Sequence, residues 1–203
     1  MTYVTVTVWH VSSLRNKDSL RDACLEAARD VIIDLGWRRT TITEVARRAG
    51  VSRMTIYRTW SDMRELFADV LAREWAGVVR SESVRGVSTR AAFVAVIVAV
   101  TRQMRHDPLF QRIVELDPEM ILPHLLQRRG LEQERIIAAY VKAIELGQRS
   151  GEIRAGDPAT MARALLLTGT GFLLSMGVVV DDGVTEEALD AEFAHILDRN
   201  LAP

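Results

Sequence analysis

Residues 41–60 read TITEVARRAGVSRMTIYRTW, and this stretch decides the fold. Its first four residues have the spacing of a capping box, in which a threonine oxygen and a glutamate carboxylate satisfy backbone donors left free at a helix start. A short helix is therefore predicted over Ile42–Ala49. Gly50 ends that helix, and Ser52 can cap a further short helix that runs to about Thr59. Helices this short are stable only when packed on each other, so the stretch predicts a helix-turn-helix.

The chain on either side of this stretch also has helical spacing. Apolar side chains recur at three and four residues over Ser19–Leu35, and Gly36 supplies a stop signal. Aspartate–proline pairs have the pattern of helix starts, with aspartate as the cap and proline at the first helical position, and they stand at 107–108, 117–118 and 157–158. The remaining helices are predicted at 62–79, 89–105, 131–149, 157–178 and 185–200. We therefore predict an all-α fold, with the helix-turn-helix in an N-terminal three-helix domain and a larger helical domain after it.

Residues 1–13, MTYVTVTVWHVSS, depart from this pattern because apolar and polar residues alternate with a period of two. Three interpretations are open: a disordered arm, a strand formed only with another chain, or residues upstream of the natural start. Disorder is favoured, because a terminus is ordered only when something holds it. The predicted organisation is a flexible arm over 1–17, a helix-turn-helix domain over 18–78 and a helical domain over 79–203.

Composition places the chain among soluble globular proteins, since 48% of its 203 residues are apolar and 26% are charged. Residues 1–66 carry 11 Lys and Arg against 8 Asp and Glu, and residues 67–203 carry 15 against 19, which allows a basic module joined to an acidic remainder. The single cysteine, Cys24, cannot form an internal disulfide, and no signal-peptide pattern is present, so a cytoplasmic location is expected. Residues 164–180 are uncharged but short for a bilayer span, so we expect a core or interface helix and no membrane.

The side chains of the helix-turn-helix divide into groups with separate tasks. Apolar residues such as Ile56 lock the two helices together. Thr41 and Ser52, at the helix starts, can offer donors to phosphate, helped by the positive end of the helix dipole. The residues at the entry of the second helix are left for base edges in the major groove of DNA, and they are Arg53, Met54 and Thr55.

Residues 21–66 resemble the N-terminal domain of the TetR family of transcriptional regulators. The resemblance rests on an ordered set of small residues, turn residues and aromatics without a gap: Ala27-Ala28, Gly36-Trp37, Thr40-Thr41, Ala46, Ala49-Gly50-Val51-Ser52, Thr55-Ile56-Tyr57, Trp60 and Leu66. It implies a DNA-binding regulator, a repressor that a small apolar or amphipathic effector releases from a palindromic operator. An effector-independent dimeric DNA-binding protein is the alternative.

The resemblance also implies roles for single residues. Family positions that touch the DNA backbone match Thr41, Ser52 and Tyr57. Family positions near base edges match Arg53, Met54 and Thr55.

Two residues depart from the family pattern. Met63 stands where the family commonly has a lysine, so Arg58 or Arg64 is expected to supply that phosphate contact. Met54 stands where the family usually has a small residue, and it can contact a thymine methyl or pack beside Arg58. Trp60 is expected to be a core aromatic.

The family further implies a homodimer through two C-terminal helices, here over 157–178 and 184–200. Residues 151–154, GEIR, resemble the family's lead-in to the first of them. An effector pocket between helices is expected to be mostly apolar, with Gln103, His106 or His124 as polar members. The apolar candidates are Trp75, Phe93, Ile97, Met104, Phe110, Ile113, Met120, Leu125, Tyr140 and Phe172.

The sequence gives little support for an enzyme, which is the other class of protein considered. The histidines are scattered, at His10, His106, His124 and His195. No nucleophile and base grouping, zinc-site spacing or glycine-rich phosphate loop is recognisable. We therefore expect no catalysis, no cofactor and no metal.

Overall fold

A computed structural model describes residues 5–80, 89–123 and 129–203. In these ranges the regular structure is entirely helical, which confirms the predicted all-α fold. The α-helices described from end to end are α1 Thr5–Leu35, α2 Ile42–Ala49, α3 Arg53–Tyr57, α4 Met63–Arg80, α5 Arg90–Arg105, α6 Pro108–Leu116, α7 Leu131–Ser150, α8 Pro158–Val179 and α9 Glu186–Leu201. Short 3-10 turns lie at Trp37–Arg39 and Pro118–Met120.

The first helix is longer than the sequence predicts. Its expected start is near Ser19, after an arm or a strand, but α1 begins at Thr5. A lone strand would leave its backbone N–H and C=O groups without partners, whereas residues added to an existing helix make their hydrogen bonds within it. From Thr5 onward the structure therefore has a helix in place of the expected strand or disordered arm, and residues 1–4 lie outside the described ranges.

The capping residues account for most helix starts. Asp107 Oδ1 accepts from the Phe110 N–H at 2.8 Å, and Thr89 Oγ1 accepts from the Ala92 N–H at 3.2 Å. Asp157 Oδ2 accepts from the Thr160 N–H at 2.8 Å and opens α8 with a proline in its first turn. These starts agree with the sequence because a cap is a bond between residues three apart, which local sequence is able to report.

The described chain divides into two compact units. The first comprises the chain up to Arg73 together with Arg112–Met120. Its core is formed by α1, α2, α3, the start of α4 and Trp60 from the loop between α3 and α4. The fully buried side chains of these helices include Leu25, Val31, Ile32, Val45, Ile56 and Leu66. The buried Cys24 lies on the same face of α1, and burial raises the pKa of its thiol, as expected of a packing residue.

The second unit comprises Glu74–Gln111 and Ile121–Pro203. Its core joins α5, α7, α8 and α9 through buried side chains that include Phe93, Ile97, Ile144, Ala162, Leu165, Phe193 and Leu197. By length and composition alone, α8 is apolar enough to cross a bilayer, and it is the single such helix in the described ranges. Four α8 residues, at 161, 162, 165 and 176, are buried.

Candidate nucleic-acid interface

The start of α2 is held by half of the predicted capping box. Thr41 Oγ1 accepts from the Glu44 N–H at 3.2 Å, and Thr41 itself is exposed. The Glu44 carboxylate accepts instead from the Arg47 guanidinium, at 2.9 and 2.6 Å, and these bonds lower the pKa of Glu44. The reciprocal bond expected of Glu44 is therefore replaced by an ion pair within the helix, while Thr41 remains at the helix start.

The turn between α2 and α3 depends on Gly50. Its φ of +67° lies in the left-handed region, and its N–H donates to carbonyls of the last turn of α2. Nothing lies within 4 Å of a Cβ placed there, so backbone conformation and not crowding favours glycine at this position.

The short helix α3 presents one buried and one exposed face. Ile56 is fully buried and packs the helix into the first unit. On the other face, 68% of the Met54 surface and 49% of the Tyr57 surface are exposed, and Arg53 and Arg58 are exposed too. The helix therefore offers a set of neighbouring side chains to solvent while a single isoleucine holds it in place.

A hydroxyl pair caps α3. Ser52 Oγ accepts from the Thr55 N–H at 3.2 Å and lies 3.0 Å from Thr55 Oγ1. Thr55 is only partly exposed, so of the three residues expected at base edges it is the least accessible, and Arg53 and Met54 are the most.

The arginines around the helix-turn-helix differ in what they already bind. Arg47 pairs with Glu44, and Arg48 Nη1 lies 2.5 Å from Asp34 Oδ2. No residue in the described ranges forms an ion pair with four other arginines of this region, which are Arg39, Arg53, Arg58 and Arg64. All four are exposed, so their guanidinium groups are available to phosphate or to a guanine edge.

Sequence reasoning missed Arg39 among these four. It lies in the 3-10 turn just before the capping residue of α2. The signal that could have found it is its position in sequence, two residues before Thr41. Arg58 and Arg64 have no ionic partner in the part of the chain that the structure describes, and either fits the role expected in place of the family lysine.

Trp60 is a core residue, as expected. It is 1% exposed, and its Nε1 donates to Asp69 Oδ2 at 2.6 Å. The Arg21 guanidinium binds the same carboxylate at 2.7 Å and lies 5.9 Å from the centre of the indole ring. Trp60 therefore anchors the loop after α3 and is not available to DNA.

The turn that precedes α2 is held by residues far away in sequence. Gly36 has a φ of +81°, and a Cβ there would lie 3.0 Å from Leu116 Cδ1 and 3.2 Å from Asp117 Oδ2. Asp117 is 1% exposed, and its carboxylate accepts from the N–H of Trp37 at 2.6 Å and of Arg38 at 3.4 Å. A 3-10 turn begins at Pro118 as the aspartate–proline pair predicts, but the expectation that the Asp117 side chain caps it is wrong, because the carboxylate binds this other backbone segment.

The described residues expected in an effector pocket lie in several parts of the fold. Phe93 and Ile97 are buried in the core of the second unit, where Phe93 meets Tyr140 edge-on at 5.4 Å. Burial raises the pKa of Tyr140 to about 12. Phe172 stacks on Phe193 with ring centres 4.2 Å apart.

Other members of the predicted pocket are dispersed. Ile113 and Met120 belong to the first unit, whereas buried Phe110 and partly buried Met104 belong to the second. The exposed His106 lies with its Nε2 2.8 Å from Glu186 Oε1, and Gln103 is exposed. Leu125, His124 and the side chain of Trp75 lie outside the described residues.

A groove of ≈ 370 Å³ runs along α8. Of the predicted pocket residues Phe172 lines it, and its other walls are Leu167, Thr168, Gly171, Ser175, Met176, Val179 and Leu189. Apolar side chains of this helix face solvent: 74% of Leu167, in the groove wall, and 84% of Val178 are exposed. In the described ranges no group of three or more His, Cys, Asp or Glu side chains could hold a metal ion.

The fold and this site define a helix-turn-helix protein that binds DNA. The family model described as bacterial regulatory proteins, tetR family, matches residues 25–70. An HTH-type transcriptional regulator of Mycobacterium tuberculosis is 35% identical over 177 residues, which are 87% of this chain and 92% of that protein. The chain belongs to the TetR family of bacterial transcriptional regulators, which confirms the resemblance inferred from residues 21–66.

Solved structures share the fold. A TetR-family regulator from Pectobacterium atrosepticum has a TM-score of 0.69 at 20% identity, with 91% of this chain and 93% of that chain covered. The regulator FadR from Bacillus subtilis, in complex with stearoyl-CoA, has a TM-score of 0.66 at 17% identity, with 88% and 98% covered. At these identities the likeness extends to the arrangement of helices.

Proposed function

We propose that this chain is a repressor that a small apolar or amphipathic effector releases from a palindromic operator. The observation that carries the proposal is the exposed face of α3. It presents Arg53, Met54, Tyr57 and Arg58 with no acidic partner in the described ranges, while Ile56 is buried beneath them. An α-helix that enters the major groove needs this separation of a packed face from a reading face.

The side chains of that face suit separate parts of a DNA duplex. Arg53 can bond a guanine edge through two parallel donors, and Met54 can contact a thymine methyl. Thr41, Ser52 and Tyr57 are exposed with hydroxyl groups that can reach phosphate. Arg58, which follows the last residue of α3, forms no ion pair with any described residue, and this supports the phosphate contact proposed for it.

A homodimer through residues 157–178 and 184–200 is part of the proposal. Exposed apolar side chains and the groove on α8 support it, because a surface of this composition is usually covered by a partner. Two copies related by a twofold axis would present two α3 helices to successive major grooves, about 34 Å apart. The palindrome expected of the operator follows from that symmetry.

The class of effector rests on two observations. The second unit is built of aliphatic and aromatic side chains, including the Phe93–Tyr140 and Phe172–Phe193 pairs. FadR, which shares the fold, was solved with stearoyl-CoA, a ligand with a long apolar chain. An apolar or amphipathic molecule would match such walls with few polar contacts.

Selection of bound sequences from a random DNA pool at defined salt tests the proposal. We expect the full chain to recover one palindromic motif. The Arg53→Ala variant should relax base preference at one position in each half-site, and Arg47→Ala is the matched control because its guanidinium is bound to Glu44. Recovery of no common motif, or of a motif without twofold symmetry, would contradict the proposal.

The effector part has its own test. A panel of fatty acyl chains of graded length is added to the complex of the protein with its selected operator. We expect release of the DNA by some members of the panel. Binding that no member changes would favour the effector-independent alternative.

A further inference from the structure

The segment Arg112–Met120 packs in the first unit, although the chain on both sides of it belongs to the second. It meets the end of α1 and the turn before α2 through three sets of bonds. Asp117 binds the backbone of Trp37 and Arg38, Glu119 Oε1 accepts from Arg38 Nε at 2.6 Å, and Arg112 Nη2 donates to the Asp34 carbonyl at 3.3 Å.

Asp117 differs from the other two contacts because it is buried. A carboxylate removed from water is tolerated only when donors replace its hydration. Here the donors are the first two N–H groups of a 3-10 turn, which have no acceptors within the turn itself. The carboxylate and the turn therefore satisfy each other, whereas the exposed pair of Glu119 and Arg38 is screened by solvent.

The turn held by Asp117 sets where the helix-turn-helix begins. Thr40 Oγ1 donates to the Gly36 carbonyl at 2.8 Å and is buried, which closes the turn. The next residue, Thr41, is the cap of α2. Gly36 is pressed against Leu116 and Asp117 so closely that a larger residue would displace them. The Asp117 carboxylate and the α2 cap are thus joined through five consecutive residues.

We propose that Asp117 is a positioning residue for DNA binding, which fixes the turn at residues 36–40 and through it the start of α2. It contacts no DNA and acts by keeping the helix-turn-helix in its binding geometry before DNA arrives. The proposal rests on the proposed function only in that the chain binds a duplex through α3. The proposal assigns a role in DNA binding to Asp117, which stands 57 residues after the end of the helix-turn-helix at Trp60.

Hydrogen exchange of the full chain without DNA tests the positioning directly. In Asp117→Ala we expect faster exchange at the amides of Trp37 and Arg38 and in the first turn of α2, with rates in α7 and α8 unchanged. Glu119→Ala is the matched control, because it removes an acidic residue of the same segment that is exposed. Equal acceleration in all helices would show that Asp117 contributes only to general stability. Unchanged rates at Trp37 would show that the hydrogen bond from Trp37 to Asp117 does not stabilise the turn.

DNA affinity of the folded variants provides the functional measurement. The probe is the selected palindrome, or a mixed-sequence duplex at low salt if selection recovers none. Loss of a charge-assisted hydrogen bond should weaken binding about tenfold in Asp117→Ala and about threefold in Asp117→Asn, which keeps an acceptor oxygen. The slope of log Kd against log salt should stay as in the wild type, because no phosphate contact is lost.

Hydrogen exchange and DNA affinity together distinguish a failure of the role proposed for Asp117 from a failure of the proposed operator. Binding by Asp117→Ala within about twofold of the wild type, at a temperature where circular dichroism shows it folded, would overturn the positioning role. An equal loss in Glu119→Ala would also overturn it. If Asp117→Ala does not fold, Asp117→Asn decides by the same criteria. Absence of any palindrome would instead count against the proposed operator, while the exchange experiment and the mixed duplex still decide the role of Asp117.

Discussion

Among the arginines of the helix-turn-helix, ion pairing separates those that can bind DNA from those that stabilise the fold. Arg47 and Arg48 are bound to carboxylates on α2 and α1, whereas Arg53 has no ionic partner among the described residues. A guanidinium that is already paired must lose that partner before it binds phosphate, which reduces the net gain. Sequence alone does not show that Arg48 is paired, because its partner Asp34 stands 14 residues away.

Replacement of Arg53 by alanine should lower affinity for the selected operator by about 1–3 kcal/mol, the usual value of a bidentate contact with a base. Arg47→Ala should change affinity much less. Fluorescence anisotropy with the operator and with a scrambled duplex measures both. A loss that is equal on the two duplexes would mean that Arg53 contacts phosphate only.

At the scale of secondary structure, glycines at the two turns differ in why they are required. Gly50 has a left-handed backbone and open space around it, while Gly36 has a left-handed backbone and close neighbours in Leu116 and Asp117. Conformational strain acts at both positions, and steric overlap acts at Gly36 alone. The two positions therefore form a natural pair for comparison.

Gly50→Ala should reduce the free energy of unfolding by about 1 kcal/mol, the cost of a left-handed alanine. Gly36→Ala should reduce it by clearly more, because the added Cβ must displace Leu116 and the Asp117 carboxylate. Urea denaturation of both variants measures the difference. Equal losses of unfolding free energy in the two variants would show that Leu116 and Asp117 move aside without a measurable energetic penalty.

The cap of α8 should make stability depend on acid. Hydrogen bonds from the Thr160 hydroxyl and backbone lower the pKa of Asp157. A carboxyl whose pKa is lower in the folded chain than in the unfolded one stabilises the fold above its unfolded pKa, about 4, and loses that contribution as pH falls through the folded value. Asp157→Ala should thus be less stable than the wild type near neutral pH.

The difference between these two proteins should shrink as the pH is lowered below about 4. Urea denaturation at a series of pH values measures it, and Asp182→Ala, in the exposed loop after α8, is a control with the same change in charge. A difference that stays constant down to acidic pH would show that the side chain caps α8 without its charge.

How much of the fold the sequence predicted depends on how far apart the bonded residues are. The helices α2 and α3 were placed correctly because Thr41 and Ser52 bond to amides three residues away. Asp117 was misassigned because its partners stand 80 and 79 residues away, and an aspartate–proline pair looks the same in both roles. The predicted pocket residues include Phe93 and Ile97, which are buried in the core, because an apolar pattern does not distinguish core from cavity.

At the scale of the whole molecule, the proposed homodimer can be tested at the exposed apolar surface of α8. Leu167→Glu should convert a dimer, with a mass near twice 22.7 kDa, into a monomer. Leu146→Glu is the control, since Leu146 is an exposed leucine of α7 outside the proposed interface. Sedimentation at micromolar concentration distinguishes them, and a wild-type chain that sediments as a monomer would contradict the two-groove geometry.

The segment around Asp117 also has a consequence for how the protein is made. The DNA-binding unit is not continuous in the chain, because Arg112–Met120 completes it. During synthesis, α2 and α3 emerge from the ribosome well before the carboxylate that holds the turn ahead of them, and domains generally fold as units. The native contacts of the helix-turn-helix are therefore complete only after residue 120 has been synthesised.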